Sequence, residues 1–142
     1  MDPLSIISSI AGIATAGTAV AKAIYEVISS AREASRELSE IARSIANLSR
    51  ILRELGRVLK NSDQIWNRKM LRCIKSTIRR ISRIHDEIYE LIHGTQGFAS
   101  LKWRFKRSDV QSKLTRIESH KTGINLMLNI LLLAGEQRKR SE

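Results

Sequence analysis

The residues of this sequence that could support catalysis or metal binding are, above all, three histidines. His85, His93 and His120 show no metal-ligand spacing and have no cysteine partners. No Ser/His/Asp or paired-carboxylate arrangement can be argued from the remaining residues. His85 falls on an apolar helix face, where a packed, hydrogen-bonded core histidine is expected. We therefore predict no catalytic, cofactor-binding or metal-binding residue, no cofactor and no small-molecule substrate, and we do not expect an enzyme.

A second candidate for chemistry is a glycine-containing stretch near the N-terminus. Gly12, Gly17 and Thr18 imitate the spacing of a phosphate-binding loop. The lysine that such a loop requires is missing, however, because Thr18 and Ala19 follow Gly17 directly. No strand signal precedes the stretch either, so we reject nucleotide binding here.

The charge distribution points to an anionic partner. The net charge is +11, and residues 1–30 contribute −1, from Lys22 against Asp2 and Glu26, so the remainder carries +12. A near-neutral apolar arm joined to a strongly basic body predicts binding either to nucleic acid or to an acidic membrane surface. The single cysteine, Cys73, excludes an internal disulfide framework and fits a reducing compartment, which predicts a cytoplasmic resting location.

Two basic stretches are the candidates for contact with anionic lipid. One is the outer face of the third predicted helix, which is most simply a solvated face. The other alternates basic and aromatic residues around Trp103, and the alternative there is that its aromatic rings cap the end of a helical bundle. The predicted lipid-contact residues are Arg68, Lys69, Arg72, Lys75, Arg79, Arg80, Arg83, Lys102, Trp103, Arg104, Lys106 and Arg107.

The first predicted helix is the most unusual segment. It carries no charge from Leu4 to Ala21, and it is apolar or small on nearly every face, so we expect it to be buried. Those eighteen residues would span ~27 Å, just short of a ~30 Å hydrocarbon core. The simpler interpretation is a core helix that the other helices surround. The alternative is a helix that rests in the core and enters a membrane when several copies assemble.

Small residues favour the second interpretation, because they allow helices to approach closely in lipid. Ser8, Gly12 and Ala16 form one line along the helix. The competing explanation is that they only fit the helix among crowded neighbours. The predicted membrane-insertion residues are Leu4, Ile6, Ile7, Ile10, Gly12, Ile13, Gly17 and Val20.

The rest of the chain predicts one all-α domain, an antiparallel bundle of about four long helices with the N-terminal helix packed centrally. In the second helix, leucine and isoleucine recur three and four residues apart from Leu38 to Leu59 without a miss. Strand and hairpin signals are absent. The predicted segments are helix 4–29, helix 31–60, helix 63–93, a basic-aromatic loop 94–107, helix 108–134 and a tail 135–142.

Three stretches carry a resemblance to a known family. Residues 1–13, Leu101–Phe105 and Glu118–Leu126 together resemble the fungal HeLo-like N-terminal domain, over essentially the whole chain. The resemblance implies a helical bundle at the N-terminus of fungal NOD-like receptors and of cell-death effectors, which act in innate immunity and heterokaryon incompatibility. The implied bundle is similar to the four-helix bundle of the mixed-lineage kinase-like necroptosis executioner.

The resemblance also implies a mechanism and partners. An amyloid signalling motif outside this domain triggers oligomerisation, and the N-terminal helix then moves to the plasma membrane and disrupts it. The implied partners are anionic membrane lipids, further copies of the chain and an amyloid-signalling NOD-like receptor. The sequence shows no amyloid motif or NTPase module, so only the executioner domain is expected here. The alternatives are a non-lytic adaptor domain of such a receptor and a basic nucleic-acid-binding module.

Overall fold

The computed structural model describes residues 3–30, 35–61, 68–93 and 107–141, and all of them are helical. The four helices are α1 (Pro3–Ser30), α2 (Ser35–Asn61), α3 (Arg68–His93) and α4 (Arg107–Ser141). No strand occurs in these ranges. The all-α bundle of four long helices is therefore confirmed.

The helix ends agree with the sequence prediction at α1 and differ most at α4. The predicted tail 135–142 is wrong, because α4 continues through Gly135 to Ser141. Glycine costs about 1 kcal/mol relative to alanine in a helix but does not end one by itself, and the residues after it are strong helix formers. The hydroxyl of Ser141 donates to the Gln137 carbonyl at 2.8 Å, within this last turn. Arg107, placed in the predicted loop, is the first residue of α4, whereas 94–106, 63–67 and 31–34 lie outside the described residues.

The core forms where the predicted apolar faces meet. Every member of the α2 series is buried, and so are the main apolar positions of α3 from Leu71 to Ile88. The fourth helix contributes Ile117, Ile124 and Leu131, which recur at seven-residue intervals on one face. Aliphatic side chains supply this core, as the scarcity of aromatic residues predicts.

The helices run up and down. Helix α1 packs extensively on α2 and α3, and α4 packs mainly on α2, with a smaller contact to α3. Ile10 lies against Gly56 and Gly17 against Ser49, so α1 and α2 are antiparallel. These pairings leave α1 and α4 without a comparable interface among the described residues.

Helix α1 packs against the other helices, as predicted, but the bundle buries only one of its sides. Ile6, Ile10, Ala14 and Ile24 are buried, whereas Ser8, Gly12 and Ala16 are exposed. The exposed side consists mostly of alanine, glycine, serine and threonine. Because such side chains offer little apolar area, leaving them in water costs little free energy.

Candidate membrane-contact surfaces

The eight predicted insertion residues occupy both sides of α1. Ile6, Ile10, Gly17 and Val20 are buried in the bundle, and Ile7 and Ile13 are partly buried against the core. Leu4 and Gly12 are exposed, Leu4 to 70% of its surface. The structure therefore separates this set into an inner face that holds α1 in the bundle and an outer face that meets solvent.

The outer face of α1 carries no charge between Pro3 and Ala21. Two of its hydroxyl groups donate within the helix: Ser9 donates to the Ser5 carbonyl at 2.9 Å, and Thr18 donates to the Ala14 carbonyl at 3.1 Å. Thr18 also accepts a hydrogen bond from Arg53 of α2 at 2.8 Å, which release of α1 would break. A hydroxyl that already donates a hydrogen bond to its own helix costs less to transfer out of water. These groups reduce the penalty for placing α1 in an apolar environment.

Length and composition would allow α1 to cross a bilayer. The segment Pro3–Ile28 has a mean hydropathy of 1.7, and it is the one helix among the described residues that meets both criteria. Core helices of water-soluble proteins also meet them, but such helices are mostly buried. Only 33% of the apolar 18-residue segment of α1 is buried in the bundle.

The two glycines of α1 have different surroundings. A β-carbon at Gly12 would have no neighbour within 4 Å, so packing within the monomer does not require glycine there. At Gly17, the β-carbon would lie 2.2 Å from Ser49 Oγ and 3.0 Å from His85 Cε1, so only glycine fits at this junction of α1, α2 and α3. The explanation that small residues fit α1 among crowded neighbours thus holds for Gly17 and not for Gly12.

His85 and Ser49 form a buried polar pair next to Gly17. His85 is 4% exposed and Ser49 1%. The predicted burial of His85 is confirmed, but its two ring nitrogens and Ser49 Oγ have no hydrogen-bond partner among the described residues. Burial lowers the pKa of His85 because it disfavours the charged imidazolium, and the charge of Asp86 opposes this effect.

The basic face of α3 is exposed, as the sequence predicts. Six of its seven cations are exposed and Lys75 is half-buried. None of the seven makes an ion pair with a carboxylate in the described part of the chain. Three cations of α4, by contrast, are paired: Arg116 and Lys113 lie 3.0 Å and 3.6 Å from Glu87, and Lys121 lies 3.1 Å from Glu118.

The positive potential of α3 extends to α4. Burial lowers the pKa of His120, and the neighbouring cations Arg80 and Arg116 lower it further. Of the predicted basic-aromatic stretch, 102–106 lie outside the described residues, and Arg107 begins α4.

Comparison with known proteins gives one match. The model of the family described as pigment biosynthesis cluster protein PigL N-terminal matches residues 1–141. The chain belongs to this PigL N-terminal family. It is a fungal-associated N-terminal domain, and the match covers all four helices as one unit. No curated protein and no solved structure matches the chain.

One surface of this PigL N-terminal domain was missed by the sequence analysis. Leu126, Ile130 and Leu133 are exposed on α4 to 61%, 47% and 61%. Their spacing of four and three residues places them on one face, opposite the buried Ile117, Ile124 and Leu131. The signal was present, since every residue from Leu126 to Leu133 except Asn129 is apolar, which is more than one buried face of a helix requires.

Proposed function

We propose that this domain acts at anionic membranes as a cell-death executioner that disrupts the bilayer. It rests in the cytoplasm, and self-association at the plasma membrane releases α1, which then inserts. In this proposal it is not an enzyme and needs no cofactor. The trigger comes from a partner region outside residues 1–142, which the HeLo-like resemblance suggests is an amyloid-signalling NOD-like receptor or its motif.

The observation that carries the proposal is the uncharged outer face of α1. A surface helix of a water-soluble domain ordinarily carries charged and polar groups on its outer side. Helix α1 has only small or apolar uncharged residues there until Lys22, and Lys22 could extend its ammonium group to the headgroup region of a bilayer.

Release of α1 exchanges one apolar environment for another. Ile6, Ile10, Val20 and Ile24 leave the bundle core and meet lipid chains, which are as apolar as the core. Leu4, exposed in the bundle, gains burial. The net gain for a single helix is small, because alanine, serine, threonine and glycine contribute little to insertion. Assembly of several copies therefore has to supply the additional driving force.

The line Ser8, Gly12 and Ala16 is suited to that assembly. These residues follow one another four positions apart, and all three are exposed before α1 leaves the bundle. Small residues at this spacing allow two helix backbones to approach closely in lipid. Because Gly12 has open space around it, this line can contact another copy without any change in the bundle.

Leakage of dye from anionic vesicles tests the proposal. Gly12→Leu should reduce leakage about tenfold, equivalent to about 1.4 kcal/mol, because the leucine separates the helices. Gly12→Ala is the matched control, since alanine stays small enough for close helix approach and a β-carbon at this position meets no neighbour within 4 Å. Both substitutions should leave the bundle folded, as helicity and melting will show. Equal leakage by both variants would remove helix–helix contact through Gly12 from the mechanism.

A charge on the outer face tests insertion itself. Ala16→Glu changes an exposed position, so the bundle should remain folded, whereas the carboxylate should prevent α1 from entering lipid. Undiminished leakage by the folded variant would contradict insertion of α1.

Vesicle binding by the parent domain without any leakage would favour the non-lytic adaptor. Tight, salt-sensitive DNA or RNA binding, without vesicle binding and unaffected by Ala16→Glu, would favour the nucleic-acid module.

A further inference from the structure

The exposed residues Leu126, Ile130 and Leu133, here called the α4 stripe, lie at a specific end of the bundle. Helix α2 ends at Asn61 and α3 begins at Arg68, so the chain between them can span at most about 25 Å. Helix α2 is about 40 Å long, so this connection cannot reach its other end. The N-terminal end of α3 therefore lies at the same end of the bundle as the C-terminal end of α2. Since α1 and α2 are antiparallel, α1 also begins at this end.

Helix α4 presents its C-terminal half at the same end. Glu87 of α3 pairs with Lys113 and Arg116 of α4. Arg80, two turns earlier on α3, lies close enough to His120, one turn later on α4, to lower its pKa. As the α3 position moves toward the N-terminus, the α4 position moves toward the C-terminus, so the two helices are antiparallel. The α4 stripe and the first turns of α3 consequently share one end of the molecule.

Exposed cations lie at the same end of the bundle as the α4 stripe. Arg68, Lys69 and Arg72 are exposed on the first turns of α3, and Lys139 and Arg140 are exposed beyond the stripe on α4. None of these five cations is paired with a carboxylate in the described ranges. An exposed apolar stripe with exposed cations at the same end of the bundle is complementary to an anionic bilayer, in which acyl chains lie beneath negative headgroups.

We infer that the α4 stripe is the hydrophobic anchor by which the resting domain docks on an anionic membrane. Leu126, Ile130 and Leu133 enter the boundary between headgroups and acyl chains, and the cations of α3 and α4 bind the headgroups. This docking places exposed Leu4, at the start of α1, on the membrane side of the bundle. The inference rests on the proposed function, because it names the surface that brings α1 to the bilayer.

The test compares two adjacent leucines of α4. Leu133 lies on the stripe and is 61% exposed, whereas Leu132 is 46% exposed and points about 100° away around the helix. Binding is measured by co-sedimentation with vesicles of phosphatidylcholine with and without phosphatidylserine. Leu133→Gln should weaken binding to the anionic vesicles about tenfold, which corresponds to about 1.4 kcal/mol, and Leu132→Gln should weaken it much less.

A second readout excludes unfolding and self-association. A triple variant, Leu126→Gln, Ile130→Gln and Leu133→Gln, should keep the parent's helicity and its sedimentation behaviour without lipid, and it should lose most vesicle binding. Equal effects of Leu132→Gln and Leu133→Gln, or no effect of the triple variant, would overturn the anchor. A parent oligomer that the triple variant converts to a monomer would also overturn it, because the stripe would then be a contact between copies.

The two proposals fail in different ways. If the parent domain does not bind anionic vesicles at all, the membrane function fails together with the anchor. If the parent binds vesicles and makes them leak, and the stripe variants do the same, only the anchor proposal is wrong. Ala16→Glu should bind normally without leakage, whereas the stripe variants should regain leakage when enough protein is added to restore binding.

Discussion

Gly17 of α1 and Ser49 of α2 lie so close that a β-carbon on Gly17 would be 2.2 Å from Ser49 Oγ. The Cε1 atom of His85, on α3, would lie 3.0 Å from the same β-carbon. One glycine thus sets the distance at which three helices meet. The same contact holds α1 in the bundle, so its strength affects how readily α1 is released.

The first prediction contrasts the two glycines of α1. Gly17→Ala should lower the free energy of unfolding by about 1–3 kcal/mol, because the new methyl group collides with Ser49 and His85. Gly12→Ala should raise it by up to about 1 kcal/mol, because the helix gains propensity in open space. Urea unfolding followed by circular dichroism measures both. A neutral Gly17→Ala would mean that the α1–α2 spacing relaxes easily.

The second prediction concerns pH. Burial lowers the pKa of His85 below the 6.5 of an unfolded histidine, so the unfolded chain binds more protons in the interval between the two values. Stability should therefore be complete above pH 6.5 and should fall as the pH decreases below it, by at most about 1.4 kcal/mol per pH unit for this one group. Unfolding is measured from about pH 7 to about pH 5, where an ordinary histidine titrates.

Replacement of the ring isolates this effect. His85→Leu should weaken the pH dependence without loss of stability at neutral pH, because it removes two buried nitrogens that have no hydrogen-bond partner among the described residues. His120 has a lowered pKa for a related reason, so His120→Gln is the control and should account for the remaining slope. An unchanged profile in His85→Leu would show that folding does not lower the pKa of His85.

The third prediction concerns the polar contact between α2 and α4. The buried Ser44 hydroxyl donates to Glu118 Oε1 at 2.6 Å, and Lys121 donates to the same oxygen at 3.1 Å. The hydrogen bond from Ser44 lowers the pKa of Glu118, burial opposes this, and Lys121 lowers it further. Ser44→Ala should destabilise the bundle by about 1 kcal/mol at neutral pH.

The pH dependence of this contact has its own window. Its contribution should be fully present above pH 4.5, the value of an unfolded glutamate, and should disappear as the pH falls through the lower pKa of the folded state. The parent and Ser44→Ala should therefore approach the same stability in acid. Lys113→Ala, which removes a partner of Glu87 and leaves Glu118 unchanged, is the comparison variant. A difference in stability between the parent and Ser44→Ala that persists in acid would contradict the role given to the Ser44–Glu118 hydrogen bond.

The fourth prediction concerns the exposed cations of the first turns of α3. A triple variant, Arg68→Gln, Lys69→Gln and Arg72→Gln, should lose about 1 kcal/mol of binding to phosphatidylserine vesicles per cation. The matched control changes Arg43, Arg50 and Arg57 of α2 to glutamine, with the same loss of charge. Arg50 donates to Asn47, and Arg57 pairs with Glu54. Equal losses in the two variants would show that only net charge matters.

The core of this fold could be predicted because it repeats at helical spacing. The α2 series from Leu38 to Leu59 was read from the sequence, and every member is buried. The end of α4 was wrong because one glycine was given more weight than the helix formers behind it, Glu136 to Arg140. The α4 stripe was missed because an apolar residue does not itself indicate whether a neighbour covers it.

By itself, the sequence determined four helices, an aliphatic core, an uncharged α1 and a basic α3, because periodicity and charge are local properties of the chain. Tertiary structure alone decided that Gly17 touches Ser49 while Gly12 faces solvent, and that Leu131 is buried while Leu133 is exposed. Residues of one type on one helix differ only in which helix lies beside them. That choice depends on contacts between segments far apart in the chain, and no local pattern carries it.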